Sequence, residues 1–150
     1  MKSILPALML LGSPALAGQY CEIDGTERFA CTFNNGAKAV EVCDAIWQDG
    51  MQATYGYYAP GKAPELELSM DMASIYYVPW NGMTRVPNAS VTFRSEDGAY
   101  GYEVWYEGED GGINVSRNNE VLATLVCDPG SVTQDLDALI ERIEAAQVSP

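Results

Sequence analysis

Residues 65–72, with the sequence ELELSMDM, decide the fold class of this chain. Every second side chain in this stretch is leucine or methionine, and the side chains between them are acidic or serine. A β-strand shows this period of two when one face of its sheet packs on a core and the other meets water. Shorter stretches with the same alternation occur at residues 29–33 and 100–106. The sequence therefore predicts a mainly β protein.

Turn residues separate the predicted strands at regular distances. Residues 34–36 (NNG) supply the positive φ angles of a tight hairpin, and further turns are expected at residues 96–98 and 118–119. We expect about eight antiparallel strands between residues 28 and 126. They would form a small barrel or a sandwich, two architectures that strand counting does not separate.

The period changes at the C-terminus, where one amphipathic helix is predicted at about residues 132–146. Ser131 and Gln134 have the spacing of a capping box. An apolar helical face is formed by Val132, Leu136, Leu139, Ile140 and Ile143. A single helix of this length is marginal alone, so we expect it to dock on the sheet.

The N-terminus has the order of a secretory signal. Lys2 precedes an apolar run at residues 4–11, and residues 15–17 (ALA) match a signal-peptidase site. The run is too short to span a bilayer, which takes ~20 residues. We therefore predict a cleaved signal peptide at residues 1–17, no membrane span, and a single secreted β domain at residues 18–150, periplasmic or extracellular.

Four cysteines remain in that domain, and an even number in an exported chain predicts two disulfides. Metal binding is disfavoured because the chain has no histidine and no C-x-x-C pair. Three pairings of Cys21, Cys31, Cys43 and Cys127 are possible. We expect Cys21–Cys31 as a local link and Cys43–Cys127 as a link between distant strands.

The chain is strongly acidic, with 21 acidic against eight basic residues and a net charge of −13. Loss of a signal containing Lys2 and no acid takes this charge to −14. Such a surface repels nucleic acid and anionic lipid and attracts a basic protein. The alternative reading of the charge is solubility or adaptation to salt.

The composition argues against an enzyme. Without histidine, the Ser-His-Asp and Cys-His arrangements are impossible, and nucleotide-binding and metalloprotease motifs are missing. We expect no metal and no cofactor. A carboxylate-based hydrolase remains as a less favoured alternative, and it needs two acids facing one cleft, ~5–9 Å apart.

Residues 75–85 form the candidate binding segment. Tyr76, Tyr77, Trp80 and Arg85 have the composition of an interaction hot spot on a proline-containing loop. The alternative is that the aromatic residues fold back over the core. A second aromatic group is predicted to pack in the sheet, or else to line a ligand cavity in a barrel: Tyr55, Tyr57, Tyr58, Tyr100, Tyr102, Trp105 and Tyr106.

Two segments resemble a known family. Residues 31–33 (CTF), followed by a glycine turn and Val40, resemble the first hairpin of the small periplasmic inhibitors of C-type lysozyme. Residues 105–110 (WYEGED) are similar to that family's W-x-K-G-x-E segment, with Glu107 in place of lysine. The family's S-G-x-x-Y motif has only a distant counterpart at residues 97–100 (DGAY). The chain also resembles small secreted proteobacterial proteins. The first resemblance implies an eight-stranded barrel and lysozyme inhibition.

Together these features predict a non-enzymatic exported domain that recognises a protein or a cell-envelope component. In its specific form, the domain inhibits a cationic cell-wall hydrolase such as lysozyme. The alternative from another class is a small-ligand-binding barrel.

Overall fold

The computed structural model describes residues 19–21, 25–45 and 51–148. The predicted signal peptide lies outside these residues. Within them, the strands are β1 (Thr26–Phe33), β2 (Lys38–Asp44), β3 (Gln52–Tyr58), β4 (Pro64–Asp71), β5 (Tyr76–Val78), β6 (Asn88–Arg94), β7 (Tyr100–Glu107), β8 (Asp110–Arg117), β9 (Glu120–Val126) and β10 (Thr133–Gln134). A 3-10 helix covers Met72–Ser74, and helix α1 covers Leu136–Val148. No helix in this part of the chain is long and apolar enough to cross a membrane.

The strands form two antiparallel five-stranded sheets. The order is β10-β1-β2-β3-β4 in the first sheet and β5-β6-β7-β8-β9 in the second. The 3-10 helix separates the sheets, and Asp71 caps it by accepting a hydrogen bond from the backbone N–H of Ala73 at 3.1 Å. The chain then pairs β5 with β6 and not with β4. The sheets do not close on each other, so the sandwich alternative is confirmed and the barrel is wrong.

The core lies between the two sheets. Tyr55 from the first sheet meets Phe93 and Tyr102 from the second, each with 5.7 Å between ring centroids. The alternation of apolar residues places Val91, Val104 and Ile113 at neighbouring register positions, and all three are buried. Helix α1 adds the buried side chains Leu136, Leu139, Ile140 and Ile143.

The predicted hairpin turn is confirmed, while the strand number exceeds the expected eight. Asn34 and Asn35 have φ angles of 54° and 55°, as the NNG sequence requires. The additional strands β5 and β10 have three and two residues. Strands this short give too little alternation for a sequence pattern to show them.

Helix α1 begins at Leu136, four residues later than the predicted start at residue 132, and the predicted capping box is wrong. Thr133 and Gln134 instead pair with β1. Ser131 Oγ donates to the carbonyl of Asp128 at 2.8 Å, while Gln134 Oε1 accepts from the N–H of Leu136 at 2.9 Å. The backbone of Thr133 and Gln134, just before the helix, therefore pairs with the edge of the first sheet.

The predicted disulfide pairing is also wrong: the bonds are Cys21–Cys43 and Cys31–Cys127. Because β-strand side chains alternate between faces, Cys31 belongs to the core between the sheets, whereas Cys43 lies in a separate cluster with Cys21. Cys127 follows β9 and reaches the core side. It meets Cys31 there, and Cys43 is left to pair with Cys21.

Candidate binding surface

Large exposed apolar side chains concentrate in the second sheet and its longest loop. Of the nine such residues in the described chain, only Val148 lies elsewhere. The other eight are Tyr76 and Val78 in β5, Trp80, Met83 and Val86 in the loop at residues 79–87, and Val121, Leu122 and Val126 in β9. Groups of exposed apolar side chains are typical of interaction surfaces, so this region is the candidate binding surface.

The structure separates the four predicted binding residues. Tyr76 is 62% exposed and Trp80 is 38% exposed, and Arg85 is exposed as well. Only Tyr77 is half-buried and packs against the core. The alternative in which the aromatic residues cover the core therefore holds for Tyr77 and is wrong for Tyr76 and Trp80.

Thr84 organises the loop at residues 79–87. Its Oγ1 accepts hydrogen bonds from Trp80 Nε1 at 2.9 Å and Asn88 Nδ2 at 3.1 Å, and donates to the carbonyl of Val86 at 3.0 Å. The Thr84 hydroxyl thus joins Trp80, near the start of the loop, to Val86 and Asn88, at its end. These hydrogen bonds hold the exposed loop in a defined conformation, and a loop ordered in advance costs less entropy to fix than a loose one.

The loop packs against the acidic tip of the β7–β8 hairpin. The N–H of Gly108 donates to the carbonyl of Pro87 at 2.9 Å. A Cβ on Gly108, which has a φ of 61°, would lie 3.1 Å from Val86 Cγ1. Exposed Glu107, Glu109 and Asp110 therefore lie beside the exposed apolar side chains of the loop.

A groove of about 290 Å³ opens on the outer face of the second sheet, the face turned away from the core. Its lining includes Val78 of β5, Glu103, Trp105 and Glu107 of β7, and Asn114 of β8. Val104 and Tyr106, which alternate with the three β7 residues, are buried in the core.

A hydrogen-bonded row crosses this face. Glu103 accepts from Ser90 Oγ at 2.8 Å and from Asn114 Nδ2 at 2.9 Å, one bond on each carboxylate oxygen. Asn114 Oδ1 in turn accepts from Thr124 Oγ1 at 2.9 Å. The row links β6, β7, β8 and β9 and fixes the floor of the groove.

Trp105 packs on the sheet, as predicted for the second aromatic group, and it does so on the outer face, where it is half-buried. Its indole covers Gly112, where an added Cβ would lie 2.7 Å from Cζ2. The signal in the sequence is the order E-V-W-Y-E at residues 103–107, which places the tryptophan between two acids on one strand face.

The buried carboxylates have structural partners. Glu41 Oε1 accepts from the N–H groups of Tyr20 at 3.1 Å and Cys21 at 2.8 Å, and Oε2 accepts from the hydroxyl of Tyr58. Burial, followed by the hydrogen bond to Glu41, raises the pKa of that tyrosine. Burial and the nearby Glu41 carboxylate also raise the pKa of Glu27. The hydrogen bonds from Tyr20 and Cys21 attach residues 19–21 to β2.

A second buried carboxylate, Asp44, forms ion pairs with Arg28 of β1 and Arg142 of α1. Arg28 also reaches Asp135, with 3.4 Å between Nη1 and Oδ2. This cluster joins the first sheet to the helix. These ion pairs give the cluster a structural role.

Cys21, Glu41 and Cys43 bring potential metal-ligand atoms close together. Both sulfur atoms are in a disulfide bond, and both Glu41 oxygens already accept hydrogen bonds. These atoms are therefore committed to the fold and do not fit a metal.

Comparison of this chain with protein-family models, curated proteins and solved structures finds no match.

Proposed function

We propose that this chain is a non-enzymatic exported domain that binds a basic protein through the outer face of its second sheet. The observation that carries the proposal is the concentration of exposed apolar side chains beside the acidic tip at residues 107–110. Apolar and aromatic side chains supply contact area, and the surrounding negative charge steers a cationic partner.

In its specific form, the proposal is that the partner is a cationic cell-wall hydrolase such as lysozyme, which the domain inhibits. The weak resemblance to lysozyme inhibitors and the net charge of −13 support this form. Two disulfides support a periplasmic or extracellular location, because such bonds persist in oxidising compartments.

The small-ligand alternative receives less support from the fold. The space between the sheets is occupied by Tyr55, Phe93 and other buried side chains. A carrier would need that interior volume for its ligand.

The test is binding and inhibition of a C-type lysozyme by the oxidised chain without residues 1–17. We expect an affinity that falls as NaCl rises from ~20 to ~300 mM, because salt screens the attraction. Absence of both binding and inhibition at every salt concentration would contradict the specific form of the proposal.

A matched pair of variants separates a local surface from a general charge effect. Glu107→Gln with Glu109→Gln removes two charges at the hairpin tip, and Glu96→Gln with Glu141→Gln removes two exposed charges elsewhere. We expect the first variant to bind about tenfold more weakly at low salt, and the second about twofold more weakly. Equal effects would show that only net charge matters.

A further inference from the structure

The groove on the outer face of the second sheet has the chemistry of a cation site. Alternation along β7 puts Glu103, Trp105 and Glu107 on one face, at steps of ~6.8 Å. The residues that line the groove include these two glutamates and no lysine or arginine. An aromatic surface between two carboxylates favours a positively charged group.

The hydrogen bonds within the groove sharpen this assignment. Ser90 directs its hydroxyl proton to Glu103, and Asn88 directs its amide group to Thr84 and to the carbonyl of Val86. These donors are already used by the protein, and Trp105 Nε1, which has no hydrogen-bond partner, is buried and closed to a ligand. The groups that remain for a ligand are mainly acceptors, because each oxygen of Glu103 accepts one bond and retains capacity for another.

Glu107 adds a second carboxylate at the outer end of the groove. It is exposed and has no ion-pair partner among the residues that the structure describes. A ligand that bridges Glu103 and Glu107 is therefore favoured by positive charge, and an organic ligand can also donate hydrogen bonds to both carboxylates.

We propose that this groove binds an arginine side chain of the basic partner, an inference that rests on the proposed function by assigning one contact within it. The guanidinium lies against the Trp105 indole and donates to the carboxylates of Glu103 and Glu107. Val78 contacts the aliphatic part of the side chain. Arginine fits better than lysine because its planar group stacks on an aromatic ring while donating in several directions.

The experiment is an NMR titration of the 15N-labelled oxidised chain with three probes. These are Nα-acetylarginine amide, Nα-acetyllysine amide and the neutral isostere Nα-acetylcitrulline amide. We expect the arginine probe to shift the backbone resonances of residues 103–107 and the indole N–H of Trp105. Citrulline should bind about tenfold more weakly, because it lacks the charge that strengthens hydrogen bonds to carboxylates.

Glu107→Gln is the test variant and Glu96→Gln its control, since both side chains are exposed at turns of the second sheet and only Glu107 lines the groove. Glu107→Gln should weaken the arginine probe about threefold, and Glu96→Gln should leave its affinity nearly unchanged. Preserved amide dispersion would show that both variants fold.

The outcomes separate this inference from the proposed function. Absence of shifts at residues 103–107, or equal binding of arginine and citrulline, would overturn the arginine site even if lysozyme binds. Stronger binding of the lysine probe would also overturn it. Arginine binding without any lysozyme binding would support the groove and contradict lysozyme as the partner.

Discussion

Cys31 in β1 and Cys127 directly after β9 form a disulfide with 5.8 Å between their Cα atoms, and this bond joins the two sheets. Asp128, the next residue, donates its N–H to the carbonyl of Thr32 at 2.7 Å. The chain thus crosses from the second sheet to the first at a covalently fixed point. From there it continues into β10 and α1.

Loss of this bond should destabilise the domain more than loss of Cys21–Cys43. The bonds span 96 and 22 residues, so the chain-entropy model gives about 4.7 and 3.4 kcal/mol. We expect Cys31→Ser with Cys127→Ser to lower the free energy of unfolding by more than Cys21→Ser with Cys43→Ser. Denaturant unfolding measures both, and the reverse order would contradict the prediction.

Glu41 should be essential to the attachment of residues 19–21. Glu41→Gln leaves the N–H groups of Tyr20 and Cys21, or the hydroxyl of Tyr58, facing an amide N–H₂ group. A hydrogen bond to a buried charge is worth about 1.5–3 kcal/mol, and we expect a loss in that range. Thermal and denaturant unfolding measure it.

The exposed residue Glu120 provides the control for this change. Glu120→Gln should alter the free energy of unfolding by less than ~0.5 kcal/mol. Tyr58→Phe should reproduce part of the Glu41→Gln effect, since it removes one donor to the same carboxylate. If Glu41→Gln and Tyr58→Phe were both as stable as the parent, the Glu41 carboxylate would have no structural role.

Local sequence patterns predicted the parts of the fold that depend on neighbouring residues. The turn at Asn34 and Asn35 and the alternation at residues 65–72 each require only a short stretch of chain. The pairing of Thr133 with Ala30 depends on how distant strands meet, and no local pattern encodes it. The predicted disulfide pairing was wrong for a related reason, because it too depends on how distant strands meet. The alternation in β1 and β2 nevertheless placed Cys31 and Cys43 on opposite faces of the sheet.

The candidate surface was predictable only in part. The composition of residues 75–85 singled out Tyr76 and Trp80, and both side chains are exposed. Composition alone does not give the face of Trp105, because aromatic residues favour strands on either face. Its neighbours Val104 and Tyr106 face the core, and that alternation was the signal for the outer position of the tryptophan.

Asp128 should make stability depend on pH in the acidic range. Its oxygens accept from Thr32 Oγ1 at 2.7 Å and from the N–H groups of Asn35 at 3.0 Å and Gly36 at 2.9 Å. The hydrogen bond from Thr32, followed by those from the turn, lowers the pKa of Asp128 below its usual 3.8. The stabilisation is present above pH ~4 and is lost as pH falls through the lowered pKa.

Thermal midpoints at several pH values test this assignment. Asp128→Asn should be less stable than the parent at pH ~7, and the difference should shrink as the pH falls below the usual pKa of an aspartate and towards the lowered pKa of Asp128. Asp110→Asn, on an exposed hairpin, is the matched control. A difference between Asp128→Asn and the parent that stays constant from pH ~7 to ~2 would contradict the assignment.

Thr84 should control binding without controlling folding. Thr84→Val keeps the shape of the side chain but removes the acceptor for Trp80 Nε1 and Asn88 Nδ2 and the donor to the carbonyl of Val86. All of these groups are exposed to solvent, so water replaces the lost partners and the free energy of unfolding should change by less than ~1 kcal/mol. The loop loses its fixed conformation and must be ordered on binding. We therefore expect lysozyme to bind about three- to tenfold more weakly, mainly through a slower association.

Surface plasmon resonance measures the rates, and Thr133→Val, at an exposed threonine in the first sheet, is the control. Unchanged affinity in Thr84→Val would show that the loop at residues 79–87 does not contribute to the binding surface.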